Sequence, residues 1–486
     1  METNVEMSSR VQTRWLNTFL VSGEVLLLGW LLATEDLSRV GLSLLGVIGA
    51  ITLLTVASSR FPLGALWVMV VSAAMPRFAG TLLGLHVRAE HVAIGLVALV
   101  VAVIAGRNRL RLSFEPRTFD YFLIAYIALN CVASAVTSPE PRMTLRWAAL
   151  SAFAMGPYFL VRILVRSEEM LFKALDIMLW VGAAEAAYGV ICFLSNHILS
   201  TTFGIEVEQY GFIPGVYGTQ YETNLFGSYT ACCAIMFLAL FLMNDSRRGQ
   251  YNWGFAITSL GAVISLSRSV FVALPIAGLL VLWIAQKKGR LRLRGVVPLF
   301  VGLSVLLLAV SPLVVDLIPE RFRTIYLSDI SSDNTTWERL AQMAVAVEDV
   351  QAHPLLGTGT ASFHLFYDPD DFPEGFAGDA DKPGWISNTP LRILHDTGVI
   401  GLVCFLLFLA FLLVAVRASV RRASGQTAGL LTALLAGSAL YAITFQATEA
   451  TMLAFTWIHV GLLAAAVSIL QQAPPDLDAC ASARVQ

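Results

Sequence analysis

Arg268 sits in the run Ser265-Leu266-Ser267-Arg268-Ser269, with apolar sequence on both sides and small polar residues beside it. A guanidinium facing the bilayer centre costs about 2.5–3.5 kcal/mol, so one at the edge of the hydrocarbon must find water or an anion. Its planar fork matches phosphate oxygens in two-point contact, and a diphosphate presents several of them. A snorkelling interfacial arginine is the plainer alternative. Arg339, in Thr336-Trp337-Glu338-Arg339-Leu340, offers a second fork, or else a surface ion pair with Glu338 worth under about 1 kcal/mol.

Carboxylates supply the remaining candidates. Glu222, in Gly218-Thr219-Gln220-Tyr221-Glu222-Thr223-Asn224, stands where an apolar helix begins. There it suits the positive end of the helix dipole, and a carboxylate partly withdrawn from water can also serve as a general base. Glu24 and Glu185 lie inside apolar runs, where an acid is a functional suspect by default. The cluster Asp368, Asp370, Asp371, Glu374, Asp379 and Asp381 has oxygen ligands for a divalent cation but not the spacing of an EF-hand, and reads better as a solvated acidic loop. His353, His364 and His395 have no ligand-spaced partner, and five of the six cysteines lie within apolar runs, so no metal centre, disulfide or cofactor is expected.

The element that must position these residues is a set of membrane spans. Hydrophobic residues make up 57% of the 486 and charged residues 14%, with a mean hydropathy of +0.71. A soluble fold of that composition would expose most of its apolar surface, and the net charge of -2 gives nucleic-acid binding no support. A hydrocarbon core about 30 Å thick needs about 20 helical residues, and runs of that order recur from Trp15 to Leu470. Counting them predicts an all-α, polytopic fold of about 14 transmembrane helices. The organisation expected is an N-terminal tail over 1–14, eleven spans within 15–317, one long polar loop over 318–397 with short helices, three spans within 398–470, and a C-terminal tail over 471–486. Arg10 and Arg14 precede a first run that lacks a small-residue cleavage site, which reads as a retained helix.

Basic residues accumulate on the cytoplasmic side of a membrane protein. With the N-terminus inside, about two thirds of the 32 Lys and Arg fall on inner connections. Arg247-Arg248 and the cluster from Lys287 to Arg294 both face inward on this map, so the chain between them crosses twice. Its turn then falls near Ser265 to Ser269 on the outer face. The same parity puts the 318–397 loop outside, in one compartment with Arg268.

A loop of that length is usually functional. Residues 337 to 350 have the spacing of a short helix with Trp337, Leu340, Ala341, Ala344 and Val347 on one face. Asn388 to Leu394 reads as a second, opened by Asn388 as its cap and broken near Thr397-Gly398. No internal repeat of the kind that marks secondary transporters is present.

Several motifs in order carry a resemblance: Glu222-Thr223-Asn224-x-x-Gly227, Ser267-Arg268 at a span junction, Trp337-Glu338-Arg339, His353-Pro354-Leu355-Leu356-Gly357-Thr358-Gly359, Asn388-x-x-Leu391, and Gly398-x-x-Gly401-Leu402. Over roughly residues 215 to 415 the chain resembles the O-antigen ligase and polysaccharide polymerase superfamily. The resemblance implies a bacterial inner-membrane glycosyltransferase that uses undecaprenyl-diphosphate-linked glycans at the periplasmic face, with no nucleotide sugar and no obligatory metal. It implies that Arg268 and Arg339 hold the donor diphosphate, with Ser387, Asn388 and Arg392 among the substrate-binding residues. The ligases typically carry a histidine where this chain has Ser387, and a serine is no base near neutral pH. The base then falls to Glu222 or Asp396, or positioning and a good leaving group suffice.

The activity expected is polymerisation of exopolysaccharide, capsule or O-antigen repeat units, with both termini cytoplasmic. A ligase acting on lipid A-core and a polysaccharide or lipid transporter are the alternatives. The partners implied are the lipid-linked donor, a glycan or lipid-linked acceptor, the bilayer, and a chain-length regulator or flippase. A cysteine introduced as Asp370→Cys is expected to react with a membrane-impermeant maleimide added to intact cells, and protection from outside would reverse the topology.

Overall fold

The computed structural model describes residues 61–82, 85–106, 114–206, 215–244, 247–289, 334–366, 385–449 and 451–472. The expected spans at 15–33, 39–57 and 295–317, Glu24 and the acidic cluster lie outside the described residues. In chain order come helices α1 (Leu63–Ala73), α2 (Ala89–Gly106), α3 (Thr118–Val136), α4 (Pro141–Leu164), α5 (Glu168–Leu199) and α6 (Thr223–Met243). Then follow α7 (Arg248–Ile264), α8 (Arg268–Lys287), α9 (Asn334–Ala352), α10 (Thr389–Arg422), α11 (Gly425–Thr444) and α12 (Ala454–Gln472). Two small antiparallel hairpins, Ala79–Leu82 with Leu85–Arg88 and Ile205–Glu206 with Gly215–Val216, lie in connections. Among the described residues, 9 helices are long and apolar enough to cross a membrane, so the protein is an all-α polytopic membrane protein.

Helix α6 is apolar all round, which suits a central position better than a lipid-facing one. It buries Phe226, Tyr229, Phe237 and most of its other side chains, and packs against α7, α8 and α11. The hairpin expected over 251 to 286 is present as α7 and α8. The break between them is a tight one: Leu266 takes φ 54°, and the Ser267 amide donates to Ser265 Oγ at 3.2 Å. At 17 residues α7 spans only about 26 Å.

Side-chain hydrogen bonds sort the connections into two ends. At one end Arg162 pairs with Asp120 and donates to Ser468 Oγ at 3.1 Å, Arg247 pairs with Asp176, and Lys288 Nζ donates to the Ala423 carbonyl at 2.9 Å. At the other, Thr219 Oγ1 donates to the Ala74 carbonyl at 2.8 Å, Thr360 Oγ1 to Asn130 Oδ1 at 3.0 Å, and Arg88 to the Met452 carbonyl. Arg268 opens α8 at this second end, the end that also holds α9 and the start of α10. The grouping is the one that parity demands.

The break expected near Thr397-Gly398 is present: α10 is two helices joined across a kink, with non-helical geometry at Gly398 (φ 65°, ψ -171°). One boundary differs from expectation: the last span, expected over 449–470, is helical only from Ala454, so Glu449 lies in a connection. The face that α9 turns inward is not its apolar one: Leu340 and Val347 are exposed while Gln342 and Ala346 are buried, with Ala346 packed on Phe363 and Ile386. Small Ala346 permits that approach, which the larger side chains of the apolar face would block.

The kink shows what the His353 to Gly359 motif does. The Val399 amide donates to the Pro354 carbonyl at 2.8 Å and the Thr358 amide to the His395 carbonyl at 2.9 Å, so backbone lies directly on backbone. A Cβ on Gly398 would overlap the Leu355 carbonyl, and one on Gly357 (φ 70°) would overlap the His395 carbonyl. Gly398→Ala is expected to lower the thermal-unfolding midpoint in detergent, since its backbone conformation alone costs about 1–3 kcal/mol for a residue with a side chain. Gly106→Ala, where the added carbon meets open space, should leave the midpoint unchanged.

Candidate functional site

At the end that holds Arg268, the turn between α11 and α12 acts as a common acceptor. The Thr389 amide donates to the Phe445 carbonyl at 2.9 Å, Asn388 Nδ2 to Gln446 at 2.9 Å, Arg339 Nη1 to Ala447 at 3.0 Å, and Thr389 Oγ1 to Thr448 at 3.0 Å. Carbonyls past a helix end have no following amide to meet them, so side chains from elsewhere take that role. The Thr448 hydroxyl donates in turn to the Glu222 carboxylate, and the Glu449 carboxylate pairs with Arg392.

Glu222 is the residue before α6, and the Asn224 side chain two residues on accepts from Ser267 Oγ at 2.8 Å. Ser267 is the residue before α8, whose first residue is Arg268. Gly227 makes this junction possible, since a Cβ there would strike Ser265 and Ser267. A chain of contacts thus runs from the start of α8 through Asn224 and Glu222 to Thr448, Ala447 and Arg339. The half-buried Arg268 also sits at the positive end of the α8 dipole, which favours an anion in the same place.

Arg392 and Asp396 are buried on the first turns of α10, one turn apart. Arg392 Nε donates to Asp396 Oδ2 at 3.4 Å, and the same oxygen accepts the Ala361 amide at 3.0 Å. Asp396 Oδ1 lies 3.0 Å from His395 Nδ1, and His395 Nε2 lies 3.2 Å from Asp349 Oδ2. With a carboxylate at each nitrogen, the fully buried ring donates at both only in its doubly protonated form. Both Asp396 oxygens are therefore engaged, whereas Glu222 is half-buried. Glu185, the acid inside α5, accepts the Thr219 amide and hydroxyl at 2.8 Å each and so fixes the turn before α6.

Of the residues singled out from sequence, Glu222, Arg339, Asn388 and Arg392 meet on the 445–449 turn, and Arg268 joins through Ser267 and Asn224. Ser387, half-buried, directly precedes Asn388. Thr448, Glu449 and the Asp349–His395 pair were not legible. Glu449 had a signal, as an acid at the edge of an apolar run. Asp349 had none, because its partner lies 46 positions on.

A comparison with curated proteins finds no match. Residues 253–406 match a family model described as O-antigen ligase. The matched stretch holds Arg268, Arg339, Ser387, Asn388, Arg392 and Asp396, while Glu222 and the 445–449 turn lie outside it. Over this segment the chain is similar to the O-antigen ligase family, which supports a place in the O-antigen ligase and polysaccharide polymerase superfamily.

Proposed function

We propose that the protein polymerises a bacterial surface polysaccharide, transferring a glycan from an undecaprenyl-diphosphate donor to a hydroxyl of an acceptor sugar at the periplasmic face of the inner membrane. The observation that carries this reading is the meeting of Arg339, Glu222 and Asn388 on the 445–449 turn through hydrogen bonds, with Arg268 brought to the same end by the bond from its neighbour Ser267 to Asn224. The opposite end carries Arg162, Arg166, Lys173, Arg247, Arg248, Lys287, Lys288, Arg421 and Arg422, the signature of a cytoplasmic face. A periplasmic site has no nucleotide sugar to draw on, so the glycan must arrive already activated.

In this mechanism Arg268 and Arg339 grip the donor diphosphate. The acceptor oxygen attacks the anomeric carbon, the bond from that carbon to the diphosphate oxygen breaks, and the electron pair leaves with undecaprenyl diphosphate. Glu222 takes the hydroxyl proton, while Asp396, saturated by Ala361, Arg392 and His395, holds Arg392 in place. The two guanidinium groups matter most as the leaving group gains charge, where removal of one preorganised donor typically costs about 10²–10³ in rate. Ser387 in the position of the ligases' histidine favours a polymerase over transfer to lipid A-core. A flippase that delivers the donor and a chain-length regulator are the protein partners this activity calls for.

Arg268→Ala and Arg339→Ala are each expected to cut polymer at least 10²-fold with membrane levels of the protein unchanged. Normal chain length in both would remove the diphosphate clamp. Deleting the protein should leave single repeat units on the lipid carrier, read by mass spectrometry. Finished long chains on the carrier would instead identify a ligase.

A further inference from the structure

A cavity of about 260 Å³ opens beside Ser387 and Asn388, where the first turns of α4 meet the 361–364 turn and the start of α10. Met143, Trp147, Phe363 and Trp385 form its apolar walls, and Arg392 and Asp396 its polar end. The Trp147 and Trp385 rings stand at 89° with centroids 5.9 Å apart, so two aromatic faces make a corner. The Arg392 guanidinium lies over the Trp385 ring, 4.9 Å from its centroid. Arg392 is only 4% exposed, and its Nη1 meets Glu449 as a charge pair without the alignment of a hydrogen bond.

We propose that this cavity is the acceptor subsite and that it takes the ring of one neutral pyranose. A pyranose presents an apolar face of C–H groups and a rim of hydroxyls, and so needs both an aromatic wall and a polar edge. An isoprenoid chain would cover Arg392 and Asp396 with hydrocarbon and give them no hydrogen bond. A diphosphate or an acidic sugar would meet a surplus of negative charge, because Arg392 is already matched by two carboxylates, Asp396 and Glu449. The volume is below that of a site for a drug-sized ligand, and suits one sugar ring.

Position supports the same occupant. Two residues beyond Trp385 the chain reaches Ser387 and then Asn388, whose side chain donates to the Gln446 carbonyl. The next carbonyl, Ala447, is the one that receives Arg339. A sugar in the Trp147–Trp385 corner is therefore connected, through Ser387 and Asn388, to the turn that receives Arg339 of the donor site. Naming the occupant an acceptor rests on the transferase reading, but the binding itself can be measured without turnover.

The test uses purified full-length protein in lipid nanodiscs. Its probe is the repeat-unit oligosaccharide released from the lipid by mild acid, free of diphosphate and tagged with a fluorophore at its reducing end. Trp147→Leu and Trp385→Leu, which keep apolar volume and lose the aromatic face, should weaken binding at least tenfold by fluorescence polarisation. Trp147→Phe and Trp385→Phe should stay within about threefold of the parent, and Arg268→Ala should bind the probe normally. On the unaltered protein, methyl glycosides of neutral pyranoses should displace the probe and uronic acids should not, a result that depends on no variant folding. Normal binding by both folded Leu variants, equal displacement by uronic acids, or displacement by undecaprenyl phosphate would overturn the proposal. If the tryptophans bind the probe while Arg268→Ala leaves polymer intact, the subsite stands and the transferase reading falls. If Arg268→Ala abolishes polymer while the Leu variants bind normally, the reverse holds.

Discussion

Past Thr444 the chain leaves α11 with carbonyls that no helical amide can reach, and each must find its partner elsewhere in the protein or in water. Here four successive ones, Phe445 to Thr448, receive the Thr389 amide, Asn388, Arg339 and the Thr389 hydroxyl. Because the acceptors are backbone atoms, their positions are set by how α11 packs against α6 and α8. Side chains from α9 and α10 are thereby registered to the centre of the bundle, and Thr448 extends the registration to Glu222 at the head of α6. No single helix defines this site: α6, α9 and α10 are anchored on the same turn, and α8 joins them through Asn224.

Buried charge tightens the arrangement. Arg392 lies between Asp396 and Glu449, Arg88 pairs with Glu90 at 2.7 Å beside His91, and at the far end Arg162 pairs with Asp120, which also accepts the Tyr158 hydroxyl. Such pairs contribute little net stability, since desolvation offsets most of their attraction, but removing one partner typically costs about 3–5 kcal/mol. Their effect is on geometry: each fixes the rotation and depth of one helix against another. The Arg392 set ties α10 to the 445–449 turn, and the Arg88 set ties the start of α2 to the residues that open α12.

The helices were legible because hydropathy over 20 residues is a strong, local signal, and the α7–α8 turn because two basic clusters constrained parity. The caps at Asn388 and the break at Gly398 were legible from residue type. The long-range partners were not. Arg339 looked like half of a surface pair with Glu338, yet its guanidinium reaches the Ala447 carbonyl 108 positions away, and a backbone acceptor leaves no mark on residue identity. The inward face of α9 was not legible for a related reason. Periodicity reports which face is apolar, whereas the neighbouring Phe363 and Ile386 favoured the face with the smaller residue.

The shortness of α7 has a consequence for the lipid around it. A helix of about 26 Å is shorter than a hydrocarbon layer of about 30 Å, and a span that is too short draws the leaflets together, at a fraction of a kcal/mol per Å. If α7 crosses as a span, the bilayer beside the α7–α8 turn is thinner than elsewhere, and the head-group layer lies closer to Arg268 than it would beside a helix of full length.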